Sequence, residues 1–266
     1  MKKLIEYIIL GIVQGLTEPL PVSSSGHMLI FKSLFKMSVL KDLNIEIIAN
    51  FGSFIAICFI YRKKIWSIIR DFFMYIKTKD KKYYTNFKYA LLIVLGTIPA
   101  GIAGLFFKDA FASISSNIKY VGIALLITAF FLFLVKNIDG NKDDQDITWK
   151  DALIIGLVQI LALLPGISRS GSTLTAGLLL GIKKDKAFDF SFMLYLPISI
   201  ATMILGVSDL VSTNKELLFP YFVSMLMAFI FTYLSLNFFK NMVINKKLKY
   251  FVYYCIIVGI LVILFL

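Results

Sequence analysis

The run Gln14-Gly15-Leu16-Thr17-Glu18-Pro19-Leu20-Pro21-Val22-Ser23-Ser24-Ser25-Gly26-His27 decides how this chain folds. It interrupts an apolar stretch, residues 4–30, that would otherwise be read as one membrane helix. Proline removes a backbone donor and biases its predecessor away from helix, so Pro19 and Pro21 split the stretch into two short helices joined by a turn. Irregular backbone of this kind is stable at membrane depth only where protein or a wet cavity surrounds it. A second apolar stretch, 151–182, is broken the same way by Pro165-Gly166-Ile167-Ser168-Arg169-Ser170-Gly171-Ser172-Thr173. Gly11, Gln14, Leu16, Ser23, Ser25 and Gly26 recur as Gly156, Gln159, Leu161, Ser168, Ser170 and Gly171, at a constant spacing of 145.

Outward from these breaks the chain is uniformly apolar. Of its 266 residues 59% are hydrophobic and 17% charged, and its mean hydropathy is +0.83. A soluble domain is nearer 45–50% apolar, so a soluble enzyme, a disordered chain and a disulfide scaffold are excluded. Six uninterrupted segments, 44–61, 88–107, 118–136, 187–208, 217–239 and 248–266, can each cross about 30 Å of hydrocarbon. Each broken stretch is followed by three of them. The expected fold is an all-α integral membrane protein of six transmembrane helices plus two re-entrant broken-helix hairpins in an inverted-topology repeat. It forms one transmembrane domain with halves at about 1–140 and 148–266.

Loop charge agrees. With both hairpins re-entrant, the segments 62–88, 136–150, 183–186 and 240–249 share one side and carry nineteen of the 28 Lys and Arg. The other side carries eight (Lys2, Lys3, Lys32, Lys36, Lys41, Lys108, Lys119 and Lys215), so the four basic loops are placed in the cytoplasm. That rule also accounts for the net +12 without nucleic acid. Lys2 and Lys3 fit an external start poorly, and the apolar run after them is read as retained, because Glu6 interrupts it. Cys58 and Cys255 lie in apolar segments and are expected as free thiols.

An ionisable group in the hydrocarbon costs at least ~2.5–3.5 kcal/mol and marks a functional site by default. Here Glu18, His27 and Arg169 all fall at the two breaks, and His27 is the only histidine. Gln14 and Glu18 share a helix face. Ser23, Ser24 and Ser25, and Ser168, Arg169 and Ser170, stand where short helices begin. Helix starts expose N–H groups and a positive dipole end, so two of them facing each other, with hydroxyls and a guanidinium fork, suit a phosphate or pyrophosphate. Taken singly, each residue has a blander explanation: serines bond the preceding turn, glutamines join helices, and Glu18 with Arg169 forms a buried ion pair. The convergence of all three ionisable types at the breaks favours a shared site.

These motifs resemble those of the undecaprenyl pyrophosphate phosphatases, the bacitracin-resistance family of bacterial membranes. The resemblance rests on Gln14-x-x-x-Glu18, on Pro21-Val22-Ser23-Ser24-Ser25-Gly26-His27 and on Pro165-Gly166-x-Ser168-Arg169-Ser170-x-x-Thr173, and extends by layout over the chain. It implies hydrolysis of a C55 polyprenyl diphosphate to the monophosphate and inorganic phosphate, recycling the carrier lipid for peptidoglycan. It also implies a divalent cation, Mg2+ or Ca2+, and a pocket on the outer side of the plasma membrane. The expected partners are the lipid substrate and membrane lipids, with a homodimer left open and no nucleic acid.

Within that resemblance Arg169 clamps phosphate oxygens, helped by Ser23, Ser25, Ser168, Ser170 and Thr173. Glu18, supported by Gln14, is either the magnesium ligand or the base. The nucleophile is Ser24 or a water, and His27 orients or deprotonates it or protonates a leaving oxygen. A carrier that moves an anion or lipid phosphate uncleaved is the competing class, because broken helices in inverted repeats are also transporter architecture.

Overall fold

The computed structural model describes residues 2–39, 42, 44–107, 117–211 and 215–266. Ten α-helices carry these residues: α1 (Lys2–Thr17), α2 (Ser24–Leu34), α3 (Asn44–Thr78), α4 (Tyr84–Phe106), α5 (Ile118–Val135), α6 (Trp149–Leu161), α7 (Arg169–Leu179), α8 (Lys184–Val211), α9 (Leu218–Ile244) and α10 (Lys249–Phe265). Among the described residues the only β pairing is an isolated bridge between Lys142 and Ile182. The protein is an all-α, multi-pass membrane protein. Helices α3, α4, α5, α8 and α9 are long and apolar enough to cross a bilayer. The sixth expected span, α10, has 17 residues, roughly 26 Å at about 1.5 Å per residue, the short end of what a bilayer requires.

The segment 62–88 is mostly helix rather than loop. No Gly or Pro occurs between Gly52 and Gly96, so nothing stops α3 when it leaves the apolar layer. It continues to Thr78 and turns at Lys79, where φ is 54°.

The four basic segments converge at one end of the bundle. Lys64 pairs with Asp144 at 3.3 Å and Asp189 at 3.4 Å, and Lys240 pairs with Asp189 at 2.9 Å. Lys184 and Lys246 both bind Asp139 and hold its carboxyl below the usual carboxylate range. Lys41 and Lys108, assigned to the other side by charge counting, lie outside the described residues.

Each broken segment enters and leaves at one end, and the two use opposite ends. At the end remote from the basic loops, Ser38 donates to Glu6 at 2.7 Å, and the Tyr7 and Tyr221 hydroxyls donate to Asp42 at 2.5 and 2.9 Å, joining the start of α1 to the exit of α2. At the basic end, the Lys142 N–H donates to the Gly181 carbonyl at 2.9 Å and its ammonium reaches Asp151 at 3.0 Å, joining the exit of α7 to the start of α6.

Glycines set the helix spacing. A Cβ on Gly11 of α1 would strike the Ser224 carbonyl of α9, and one on Gly156 of α6 would strike the Gly96 carbonyl of α4. Gly11 and Gly156 are counterparts at the spacing of 145, so matched positions in the two halves make the same close approach. Forcing a larger side chain into a packed contact typically costs about 1–3 kcal/mol. Gly156→Val and Gly11→Val are each expected to lower unfolding stability in detergent by that amount. An unchanged unfolding transition would mean that these helices do not meet backbone to backbone.

Candidate active site

Short helices begin where a side chain can cap them. Ser23 caps α2, its Oγ accepting the Gly26 N–H at 3.3 Å, and Ser168 caps α7, its Oγ accepting the Gly171 N–H at 3.0 Å. The match extends one turn further: His27 Nδ1 lies 2.8 Å from the Ser23 carbonyl, and Ser172 Oγ donates to the Ser168 carbonyl at 2.8 Å. The two helix starts then lock together. The Gly166 N–H donates to Ser23 Oγ at 3.0 Å, and Ser170 Oγ donates to the Leu20 carbonyl at 3.2 Å. A Cβ on Gly26 would come within 3.0 Å of Gly166, whose φ of +100° is open to glycine. Ser23 itself is held at φ 67°, a strained value for serine that this bonding on both sides maintains.

Glu18 is the centre of the site. Its Oε1 accepts Arg169 Nη2 at 2.5 Å, and its Oε2 accepts Ser24 Oγ at 2.5 Å and Gln14 Nε2 at 2.9 Å. Both charged side chains are largely buried, Glu18 at 9% and Arg169 at 15% exposure. Ser24 and Arg169 are each the first residue of their helix and are counterparts at the spacing of 145, so one carboxylate joins the starts of both half-helices. The Arg169 guanidinium lies 4.1 Å over the Tyr195 ring, and the Tyr195 hydroxyl donates to Asn50 Oδ1 at 2.7 Å. Cation–π contact and hydrogen bond together fix the fork in place.

A cavity of about 440 Å³ opens at this junction, walled by Gln14, Glu18, Ser23, Ser24, Ser25, Ser168, Arg169 and Ser170 among others. Glu46, Ile198 and Thr202 also line it, which places it on the side of the breaks away from the basic loops. Two polar groups at the cavity are buried without a partner among the described residues: Arg169 Nη1 and the whole Gln159 amide. Such groups are costly unless something binds them.

The geometry departs from the sequence expectation at two residues. His27 is buried behind the start of α2 and is not on the cavity wall. A carbonyl only accepts, so Nδ1 donates to Ser23, while Nε2 meets the Tyr254 hydroxyl at 2.8 Å. Thr173 also stands off the wall, its hydroxyl bonded to the Arg169 carbonyl at 2.9 Å and to Ser191 Oγ at 2.5 Å. Both hold the backbone of a helix start rather than face the cavity.

The chain matches the family model for bacitracin resistance protein BacA over residues 7–261. It belongs to that family. It is 42% identical to undecaprenyl-diphosphatase 2 of Bacillus thuringiensis strain Al Hakam over 265 residues, covering 99% of this chain and 98% of that protein. It is 43% identical to the undecaprenyl-diphosphatase of Oceanobacillus iheyensis over 267 residues, 99% and 97% of the two chains. Undecaprenyl-diphosphatase 1 of Halalkalibacterium halodurans is 39% identical over 261 residues, 97% and 95%.

Three residues of the site escape motif reading: Asn50, Thr128 and Tyr195; Gln159 stands in the repeat as the counterpart of Gln14 without an assigned role at the site. Asn50 and Thr128 had a signal, as polar side chains inside apolar spans. Thr128 of α5 is a clamp on the second turn. Its Oγ1 accepts the Ser168 N–H at 3.0 Å and donates to the Gly166 carbonyl at 3.1 Å. Thr128→Val would leave both groups buried and unmatched, at about 1–3 kcal/mol. Detergent unfolding should show that loss for valine and little of it for Thr128→Ser, whose hydroxyl survives. Equal behaviour of the two variants would remove the clamp.

Proposed function

We propose that this protein is an undecaprenyl-diphosphate phosphatase and that its reaction runs in the Glu18–Ser24–Arg169 cavity. Family membership at about 42% identity over the whole chain supports the reaction. Ser24 Oγ lying 2.5 Å from one Glu18 oxygen while Arg169 binds the other is the observation that carries the site.

In this mechanism the terminal phosphate is gripped by Arg169 Nη1, the Gln159 amide and the N–H groups at the starts of α2 and α7. Those are donors that a phosphate satisfies, apart from the Gly26 and Gly171 N–H groups, which the Ser23 and Ser168 caps already hold. Glu18 takes the Ser24 proton as Oγ attacks the terminal phosphorus. The bond from that phosphorus to the bridging oxygen breaks, and the lipid monophosphate leaves. Water then displaces Ser24 from the phosphorus, releasing inorganic phosphate. His27 and Thr173 are positioning residues in this scheme, through the Ser23 and Arg169 carbonyls they bind.

Charge balance supports a divalent cation. Among the described residues lining the cavity, Arg169 is the only Lys or Arg, and Glu18 already neutralises it. A diphosphate would add more negative charge than two helix dipoles, about half a charge each, can offset. Glu18 and the Gln14 amide oxygen would hold magnesium together with phosphate oxygens, and calcium would suit the same hard donors. When bound, the ion supplies charge neutralisation on the phosphate.

The protein is proposed to lie in the bacterial plasma membrane with its basic loops in the cytoplasm and the cavity open to the outer side. A carrier has only the architecture in its favour, and architecture alone is a weak guide to function. The deciding assay is phosphate release from undecaprenyl diphosphate by purified protein in detergent, where no gradient exists.

In that assay Arg169→Lys is expected to fall by about 10²–10³ in kcat, because a point charge cannot replace the fork. Acid-quenched protein should carry labelled phosphate that Ser24→Ala abolishes. Near-normal turnover by Arg169→Lys would take the guanidinium out of the site, and label retained by Ser24→Ala would move the attack elsewhere. EDTA should stop turnover and added magnesium restore it; turnover unaffected by the chelator would leave the protein's own groups as the whole charge clamp.

A further inference from the structure

A polyprenyl diphosphate with its head at Glu18 and Arg169 must pass its chain out of the cavity into hydrocarbon, and the walls differ in what they permit. The α3–α8 seam is closed. Tyr195 and Ser199 of α8 are hydrogen-bonded to Asn50 of α3, and nearer the outer end Gly206 packs on Ile47 so tightly that a Cβ there would come within 2.5 Å. The α1–α9–α3 side is closed as well, since a Cβ on Gly11, Gly15 or Gly52 would collide with α9 backbone.

The α4–α8 side is different. Gly96 brings α4 against α6, but beyond it α4 carries two more glycines that no helix packs against. A Cβ on Gly101 would meet nothing within 4 Å, and one on Gly104 would just touch Leu163 at 4.0 Å. Gly101 floors an apolar groove of about 310 Å³ lined by Val94, Thr97, Ile98, Ile102 and Leu105 of α4 and by Pro197 of α8. The Thr97 hydroxyl is bonded to the Ile93 carbonyl at 2.7 Å, so even that wall residue has its hydroxyl satisfied by the helix. The groove adjoins the cavity. Pro197 lines the groove and Ile198 the cavity, and Leu163, which faces Gly104, is a cavity residue. From Val94 to Leu105 it follows α4 for roughly 16 Å at about 1.5 Å per residue.

We infer that this α4–α8 groove is the binding site for the first isoprene units of the substrate's polyprenyl chain, with Gly101 keeping it open. The inference rests on the reading of the cavity as the diphosphate site. Its chemistry is simple: a run of isoprene units, each bearing one methyl branch, needs a long, dry, apolar channel continuous with the head-group site. A glycine in a spanning helix that serves no helix contact provides one. Bulk lipid is the competing occupant, and it has no reason to discriminate by substrate chain length.

The test compares undecaprenyl diphosphate with dimethylallyl diphosphate, whose five carbons are too few to run along the groove. Gly101→Leu fills the channel where no protein atom stands, so insertion and folding should survive. It is expected to raise KM for the C55 substrate by about tenfold or more with kcat within about twofold, the pattern of lost uniform binding, and to leave the C5 reaction unchanged. Gly101→Ala, with one methyl, should fall between Leu and the parent. A parental KM for the C55 substrate in the Leu variant would overturn the groove and leave bulk lipid as its occupant. Equal losses on both substrates would also overturn it, because the substitution would then act on the head-group site. A parent protein inert toward both substrates would instead overturn the reading of the cavity.

Discussion

One carboxylate holds the centre of this protein. Glu18 is contributed by the end of α1 and is met by the first residue of α2 on one oxygen and the first residue of α7 on the other. Burying an ion costs several kcal/mol unless geometry and further hydrogen bonds compensate. Glu18 has three such bonds and Arg169 has an aromatic face. Remove the carboxylate and a guanidinium is left buried beside two helix starts whose dipoles also point positive ends inward. The joining of α1, α2 and α7 therefore depends on this contact. In the proposed function a phosphate would offer Arg169 and both helix starts the negative charge that this arrangement favours.

Much of this was legible from local chemistry. Pro19, Pro21 and Pro165 end helices where Ser and Gly runs accompany them, whereas Pro99 and Pro197 are carried inside α4 and α8, so it is proline together with its Ser and Gly neighbours that marks the two interrupted segments. The spacing of 145 is legible for the same reason, and its matched glycines and caps reappear in the packing as Gly11 with Gly156 and Ser23 with Ser168. What was not legible is which way a polar side chain turns once its helix has formed. His27 and Thr173 lie within a turn of the reacting groups, yet their polar atoms bond backbone carbonyls behind the helix starts. A helix presents adjacent residues to different surroundings, and only the packing of α8 and α10 decides which surroundings those are. The partners of Asn50, Thr128 and Tyr195 were not legible because they lie in other parts of the chain, more than a hundred residues away for Asn50 and Tyr195. The helical run of α3 past residue 61 was underestimated because hydropathy marks where a helix leaves the membrane, not where it ends.

Chemistry enters where the halves cease to match. The position related to Glu18 is Leu163, the one related to Arg169 is Ser24, and the one related to His27 is Ser172. Identical residues at the two breaks would present the same group twice, with like charges facing each other. Divergence instead sets a carboxylate and a serine hydroxyl at the first break and a guanidinium at the second, within reach of one another. Asymmetry also governs the surroundings. Helix α9 is drawn against α1 and α3 by Gly11, Gly15 and Gly52, whereas α4 contacts α6 at Gly96 and then stands clear. The same residue type closes one flank of the cavity and leaves the other open to lipid, and the difference is whether another backbone lies above it. In the proposed function a diphosphate joined to an apolar chain needs that combination: a polar junction closed along the α3–α8 seam and the α1–α9–α3 side, with a dry way out along α4.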